Sequence, residues 1–204
     1  MGGLSFDQEE LLSTYKPDFA MAYGSGVFKQ HGYSQEDTPM VDFVFGVESA
    51  HIWHRLNLKS NPQDYSSIVK VFGLDFVNLL QRTGARIYYN PYCDFNGCVI
   101  KYGVIDIKDM VKDMKEWTHL YVAGRMQKPV EILQCPDDVR KAIDINLGHA
   151  LTTALLLLPE NFTEKELYTT IAGISYTGDS RMQCGENPQK AVNIVNENTE
   201  GFAN

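Results

Sequence analysis

Two apolar runs, Phe19–Tyr23 (FAMAY) and Met40–Val47 (MVDFVFGV), stand on either side of Gly24-Ser25-Gly26 and a polar insert. Aromatic and β-branched residues at this density predict two strands, and a glycine-serine turn closes the first. The second strand carries one acid, Asp42, in otherwise apolar surroundings. A carboxylate there is costly unless it is paired or metal-bound, so Asp42 needs a partner. The same arrangement suits phosphate binding. Glycine N–H groups and the Ser25 hydroxyl at a strand end approach a triphosphate without a bulky side chain between. An aspartate on the next strand can hold the Mg²⁺ that such phosphates require. A structural ion pair, or exposure at a strand edge, is the other reading of Asp42.

Further strands are expected at Arg86–Tyr92 and Cys98–Ile105, joined through Asp94-Phe95-Asn96-Gly97, where Asn-Gly is a hairpin signal. Helices are expected over Ser49–Leu58 and Tyr65–Thr83, with Gly84 as a stop. A helix over Asp106–Trp117 has Ile107, Met110, Val111 and Met114 on one face, with Asp and Lys opposite. The longest helix is expected over Asp137–Leu158, where Leu147, Leu151, Ala154, Leu155 and Leu158 form a stripe that reads as a core face, or as the wall of an acyl groove. Thr163-x-x-Glu166 has capping-box form for a helix to about Ser175, and Asn187-Pro188 opens a short final one. A strand-rich first half and a helical second half predict an α+β protein: a mixed sheet with flanking helices over residues 1–110, then a smaller, mainly helical domain over 111–204 whose boundary allows a return to the sheet.

The chain has 204 residues, enough to bury a core, and a formal charge of −8. That charge excludes a general nucleic-acid binder and a protein that adheres to anionic bilayers through overall basicity. The longest apolar stretch, Ala150–Leu158, falls far short of the roughly 20 residues of a spanning helix. The acidic start (Asp7, Glu9, Glu10) has neither signal-peptide nor transit-peptide form. Cys93 and Cys98 are spaced C-x4-C, but Cys135 and Cys184 do not complete a zinc site, so reduced thiols are expected.

Tyr23-Gly24-Ser25-Gly26 followed by Asp42-Phe43-Val44-Phe45 resembles the Gly-Ser…Asp signature of polymerase-β-like nucleotidyltransferases. Downstream come Trp53-His54-x-x-Asn57, Asn61, Tyr65-Ser66, Lys101-Tyr102-Gly103-Val104-Ile105, Ala123-Gly124-Arg125-x-Gln127-Lys128-Pro129 and Ala172-Gly173-x-Ser175-Tyr176-x-Gly178-Asp179-x-Arg181-Met182. In that order, over Phe19 to Val195, they resemble the mitochondrial phosphatidate cytidylyltransferase family. The resemblance implies transfer of CMP from CTP to phosphatidic acid with Mg²⁺, giving CDP-diacylglycerol for phospholipid synthesis, cardiolipin included. It also implies peripheral attachment to the matrix side of the mitochondrial inner membrane, although bacterial relatives exist. Family members generally continue past the segment matching Asn193–Asn204, so a following segment is expected to supply membrane contact.

On this reading Asp42 is the metal ligand, and Asp42, Lys101 and Asp179 are the catalytic candidates. Tyr23, Gly24, Ser25 and His54 contact the nucleotide, and Arg125, Lys128 and Arg181 hold the lipid phosphate or pyrophosphate. Each has a plainer alternative. Lys101 suits an exposed sheet face, Arg125 and Lys128 suit solvated cations, and His54 suits a packed core histidine. Asp179 suits a loop-structuring acid, with Arg181 as its partner. The Asp-x-Asp pair of many relatives is absent: Val44 stands at the second position, and Glu48 lies about 20 Å along an extended strand. Any second carboxylate must come from elsewhere, with Asp179 first and Asp106 or Asp94 behind it. Two other functions remain open: nucleotidyl transfer to a different acceptor, and a catalytically silent assembly or binding module.

Overall fold

The computed structural model describes residues 6–24, 26–27, 40–177 and 189–203. It is α+β, with a five-stranded mixed sheet and flanking helices. The chain forms two compact units, Met1–Val111 with Val130–Val139, and Lys112–Pro129 with Arg140–Asn204.

In the first unit, helix α1 (Gln8–Tyr15) precedes strands β1 (Phe19–Tyr23) and β2 (Val41–Val47). Helices α2 (Ala50–Ser60), α3 (Ser67–Phe72) and α4 (Leu74–Thr83) lead to the hairpin of β3 (Ile87–Phe95) and β4 (Cys98–Asp106). A late strand, β5 (Glu131–Gln134), returns to the sheet beside β1. The order is β3-β4-β2-β1-β5; β2 and β4 run parallel and the other neighbours antiparallel. Side chains alternate between the two faces of each strand. One face buries Ala20, Ala22, Phe43, Phe45, Ile100, Tyr102 and Val104 with Leu11 and Tyr15 of α1 and Ala50 of α2. The other face receives the side chains of Asp42 and Lys101, which are register partners on β2 and β4.

The sequence-predicted strands all form. The hairpin turn tightens to Asn96-Gly97, since Phe95 pairs with Cys98. Two α-helices and one strand were not expected. Helix α1 begins at an Asp7 N-cap whose side chain accepts from Glu9 N at 2.9 Å, and Glu9 and Glu10 favour its positive end. The other two are β5 and the five-residue α6 described below. The helix expected over Tyr65–Thr83 is two, because Gly73 adopts φ +73°, a left-handed conformation that ends α3.

The second unit continues α5 (Ile107–Glu116), which begins in the first, through α6 (Val122–Met126), α7 (Asp137–Leu157), α8 (Glu164–Ile174) and α9 (Lys190–Ala203). Thr163 and Glu166 complete the expected capping box of α8. The leucine stripe of α7 departs from the core reading: Leu147, Leu151 and Leu155 are exposed, whereas Val139, Ala142, Ile143, Asn146, Ala150 and Ala154 are buried. Its small and amide-bearing side permits close approach, so packing follows that side instead of the greasiest one. Asp113, expected on the polar face of α5, is also buried.

Candidate active site

Adjacent strands bring three of the predicted site residues into one row. Tyr23 on β1 pairs with Asp42 on β2, and Asp42 with Lys101 on β4. Lys101 Nζ lies 3.0 Å from Asp42 Oδ1. Oδ1 is buried and accepts no aligned hydrogen bond from the described residues, so this is an ion contact. Gly24, at φ +82°, turns the chain out of β1 immediately beside the acid. A Cβ at Gly24 would lie 3.3 Å from Asp42 Oδ2, and the left-handed backbone there is itself unfavourable for a side chain. A strand-end glycine, an acid and a lysine therefore converge, as phosphate binding requires. Ser25 lies outside the described residues, as do Asp179 and Arg181.

Tyr89 completes the cluster, and sequence reading missed it. Its hydroxyl is 3.1 Å from that of Tyr23, and its ring centroid lies 5.1 Å from Lys101 Nζ. The available signal was Gly103, a glycine inside an apolar strand, which marks close approach of a neighbour.

Two reserve carboxylates serve elsewhere. Asp106 pairs in register with Val47, five residues along β2 from Asp42, and its Oδ1 accepts from Ala50 N at 2.6 Å. Asp94 accepts from Gly97 N at 3.3 Å in the hairpin turn. Among the described residues no group of three His, Cys, Asp or Glu side chains is placed to hold a metal ion. The acid opposite Lys101 is Asp42, with one carboxylate atom left without an aligned donor. That suits a magnesium ion delivered on phosphates, which needs only one or two protein carboxylates.

His54 lies with the core on the opposite face of the sheet. Its Nδ1 is 2.8 Å from Tyr65 Oη, and its ring meets Trp53, Tyr65 and Tyr88 edge-on. Burial lowers its pKa to about 3, so it is neutral at physiological pH. Asn57 donates to both Tyr65 and Tyr102, and Asn90 donates to Tyr102. Tyr102 and Tyr15 donate to buried Asp64 at 2.7 and 3.1 Å. Burial raises the Asp64 pKa, with the two tyrosine bonds opposing the shift. The Trp53–Tyr65 segment thus ties α2 to the strand that carries Lys101.

Arg125 and Lys128 belong to the second unit. The loop into α6 wraps around the Asp113 carboxylate, which accepts from the backbone N–H groups of His119, Leu120, Tyr121, Val122 and Ala123 at 2.7–3.1 Å. Asn146 Oδ1 accepts from Trp117 and Gln127, and its amide donates to Ala123 O. At Gly124 a Cβ would fall 2.3 Å from Ser175 Cβ, so glycine is what admits the end of α8. Lys128 Nζ donates to Gly124 O at 2.5 Å and Ser175 Oγ at 2.7 Å, and lies over the Tyr176 ring at 4.7 Å. The Ala123–Pro129 and Ala172–Tyr176 motifs therefore meet at this lysine. The Arg125 guanidinium lies 5.2 Å from the Tyr121 ring centroid.

Burial, then Arg125 and Lys190, push the Lys128 pKa down to about 7. The unfolded chain, with a normal lysine, binds more protons than the folded chain above that pH, so this group makes stability rise with pH. The buried Cys93 thiol, pushed up to about 12, acts oppositely once the unfolded thiol titrates near pH 8.5. We expect urea midpoints measured from pH 7 to 8.5 to show a rising Lys128 contribution, seen as a wild-type minus Lys128→Met difference that grows with pH. A flat difference would remove the depressed pKa.

A family profile described as "Phosphatidate cytidylyltransferase, mitochondrial" matches residues 8–204. Proteins of that name are similar to this chain: 49% identical over 187 residues in Schizosaccharomyces pombe, 44% over 199 in Homo sapiens and 41% over 207 in Saccharomyces cerevisiae. The alignments cover 91%, 95% and 98% of this chain and 47%, 44% and 54% of those proteins, so the chain spans about half the length of these curated relatives. With a match across both units, the chain belongs to the mitochondrial phosphatidate cytidylyltransferase family.

Proposed function

We propose that this chain carries the nucleotidyl-transfer site of a phosphatidate cytidylyltransferase: CTP and phosphatidate give CDP-diacylglycerol and pyrophosphate. The observation that carries the reading is the Gly24–Asp42–Lys101 row, found in a chain whose relatives bear that name. A phosphate oxygen of the lipid attacks the α-phosphorus, and the bond from that phosphorus to the bridging oxygen breaks as pyrophosphate leaves. Phosphate monoesters lose their second proton near pH 6, so the nucleophile is already largely dianionic and needs no protein base. The remaining task is alignment and charge neutralisation.

Gly24 leaves room for the triphosphate beside Asp42, and Ser25 is assigned to the phosphates as well. Lys101 leaves Asp42 for phosphate oxygens, offsetting the negative charge that collects there. Asp42 would hold a magnesium ion, which, when bound, withdraws charge from the phosphates. Arg125, Lys128 and Arg181 are assigned to the lipid phosphate or pyrophosphate, and Asp179 to metal or cytidine. CTP selectivity rests on the relatives' names.

No helix among the described residues is long and apolar enough to cross a membrane. The proposed attachment is peripheral, at the matrix face of the mitochondrial inner membrane. The test incubates purified protein with α-labelled CTP, Mg²⁺ and phosphatidate vesicles and follows label into CDP-diacylglycerol. Label on another acceptor would support the broader nucleotidyltransferase reading. Failure to bind any nucleoside triphosphate would leave a silent binding module.

A further inference from the structure

Tyr89 faces Gly103 across the β3–β4 pair. A Cβ at Gly103 would come within 2.6 Å of Tyr89 Cε1 and Cζ, so the ring occupies the place a side chain would take. Lying there, it points along the sheet instead of away from it. Tyr23 lies three strands away, about 14 Å at the usual strand spacing, yet the two hydroxyls approach to 3.1 Å. The Lys101 ammonium sits between two attractive partners on this face, the Asp42 carboxylate at 3.0 Å and the Tyr89 ring at 5.1 Å. On the β3 side Lys101 faces an irregularity between Asn90 and Cys93, so the strand pairing itself offers the lysine side chain little guidance.

We propose that Tyr89, seated on Gly103, is the positioning residue for Lys101: its ring holds the ammonium on the Asp42 face while the lysine exchanges the carboxylate for a nucleotide phosphate. This rests on the nucleotidyl-transfer reading above. A lysine attracted only by Asp42 would hold that carboxylate as a closed ion pair and resist the exchange. A ring face offers a second attraction that needs no counter-anion and leaves the N–H donors available. A side chain at Gly103 would press on the Tyr89 ring and also on Ile87 Cδ1, 2.7 Å from the Cβ position, so Tyr89→Leu is a cleaner variant than Gly103→Ala.

The test compares Tyr89→Leu, Tyr89→Phe and Gly103→Ala with wild type, each first checked for an unchanged thermal midpoint. Losing the ring face is expected to weaken CTP binding, measured by calorimetry, about three- to tenfold in Tyr89→Leu and Gly103→Ala, as one cation–ring contact implies. Tyr89→Phe is expected to recover most of that loss, because it keeps the face and removes only the hydroxyl contact. The KM for phosphatidate is expected to stay near wild type, a selectivity that general damage would not give. A readout independent of nucleotide comes from NMR with ¹³C-lysine, the Lys101 signal being the one lost in Lys101→Arg. Its ε-methylene is expected upfield in wild type and Tyr89→Phe, through the ring current, and at an ordinary position in Tyr89→Leu. CTP binding by Tyr89→Leu equal to wild type, or an ordinary wild-type ε-methylene shift, would overturn the proposal. If wild type bound no CTP while the ring-current pattern held, the nucleotidyl-transfer reading would fall and Lys101 positioning would remain only as a property of the free protein.

Discussion

Asp42→Ala is expected to lower CDP-diacylglycerol formation by at least about a thousandfold, the scale seen when a principal electrostatic group leaves an active site, while the protein stays folded. Its side chain is partly exposed, and its one charged partner among the described residues is Lys101, also partly exposed. An ion pair in that setting contributes less than about 1 kcal/mol, so the fold loses little with it. On the proposed reading, the catalytic loss comes from what the carboxylate does to bound substrate: Asp42 is the acid paired with Lys101 beside Gly24, where it would hold the cation that accompanies the triphosphate. The variant also separates binding from catalysis. Removing an anion beside the phosphates should leave CTP affinity without Mg²⁺ unchanged or improved, and should abolish any gain that Mg²⁺ produces in wild type. Calorimetry with and without Mg²⁺, together with the labelled-CTP assay, reads both effects. Turnover near wild type would remove Asp42 from the centre of the site, and loss of the thermal transition would make it a structural acid.

What the sequence made legible divides by the range of the interaction. Phe19–Tyr23, Gly24 and Asp42 stand out because an apolar run, a glycine and an isolated acid each announce their role locally. That Lys101 would face Asp42 depends on a parallel register between strands separated by three helices and a hairpin, and no local signal fixes it. Tyr89 was hidden for another reason: an aromatic residue in a strand is ordinary, and only the glycine opposite shows where its ring lies. His54 and Asn57 drew attention as polar residues in a motif. Their partners Tyr65, Tyr102 and Asp64 give them a place inside the core that composition could not disclose. The α7 stripe shows the limit of periodicity. Of five apolar positions at helical spacing, Ala154 is buried but Leu147, Leu151 and Leu155 are exposed: the core selected the side with Ala142, Asn146, Ala150 and Ala154, because neighbours pack closer against small residues.

Asp113 was the least legible of all, an acid in an Asp- and Lys-rich helix, and its removal is expected to have the largest effect on stability. Five consecutive backbone N–H groups, from His119 to Ala123, end on its two oxygens. In the segment it holds, Trp117 and Leu120 adopt φ values of +53° and +52°, which side-chain-bearing residues resist. Asp113→Ala leaves that strained segment without this acceptor, and the α6 N-terminus loses the carboxylate oxygen that accepts from Val122 and Ala123. A hydrogen bond to a charged group contributes about 1.5–3 kcal/mol, and some of these amides will find water once the loop opens, so a loss of about 3–5 kcal/mol is expected rather than the full sum. That is a large share of the 5–15 kcal/mol typical of whole domains. Asp113→Asn should recover little, because its NH₂ group would face amide donors where an oxygen is required. Urea unfolding gives the stability, and amide exchange at residues 119–123 locates the damage: protection there should vanish in either variant while β1, β2 and β4 stay protected. Phosphatidate turnover should fall with it, since α6 carries Arg125 and ends beside Lys128, whereas the Asp42–Lys101 pair belongs to the other unit. An Asp113→Ala protein with wild-type exchange at those five amides would show that the loop holds its shape without the carboxylate.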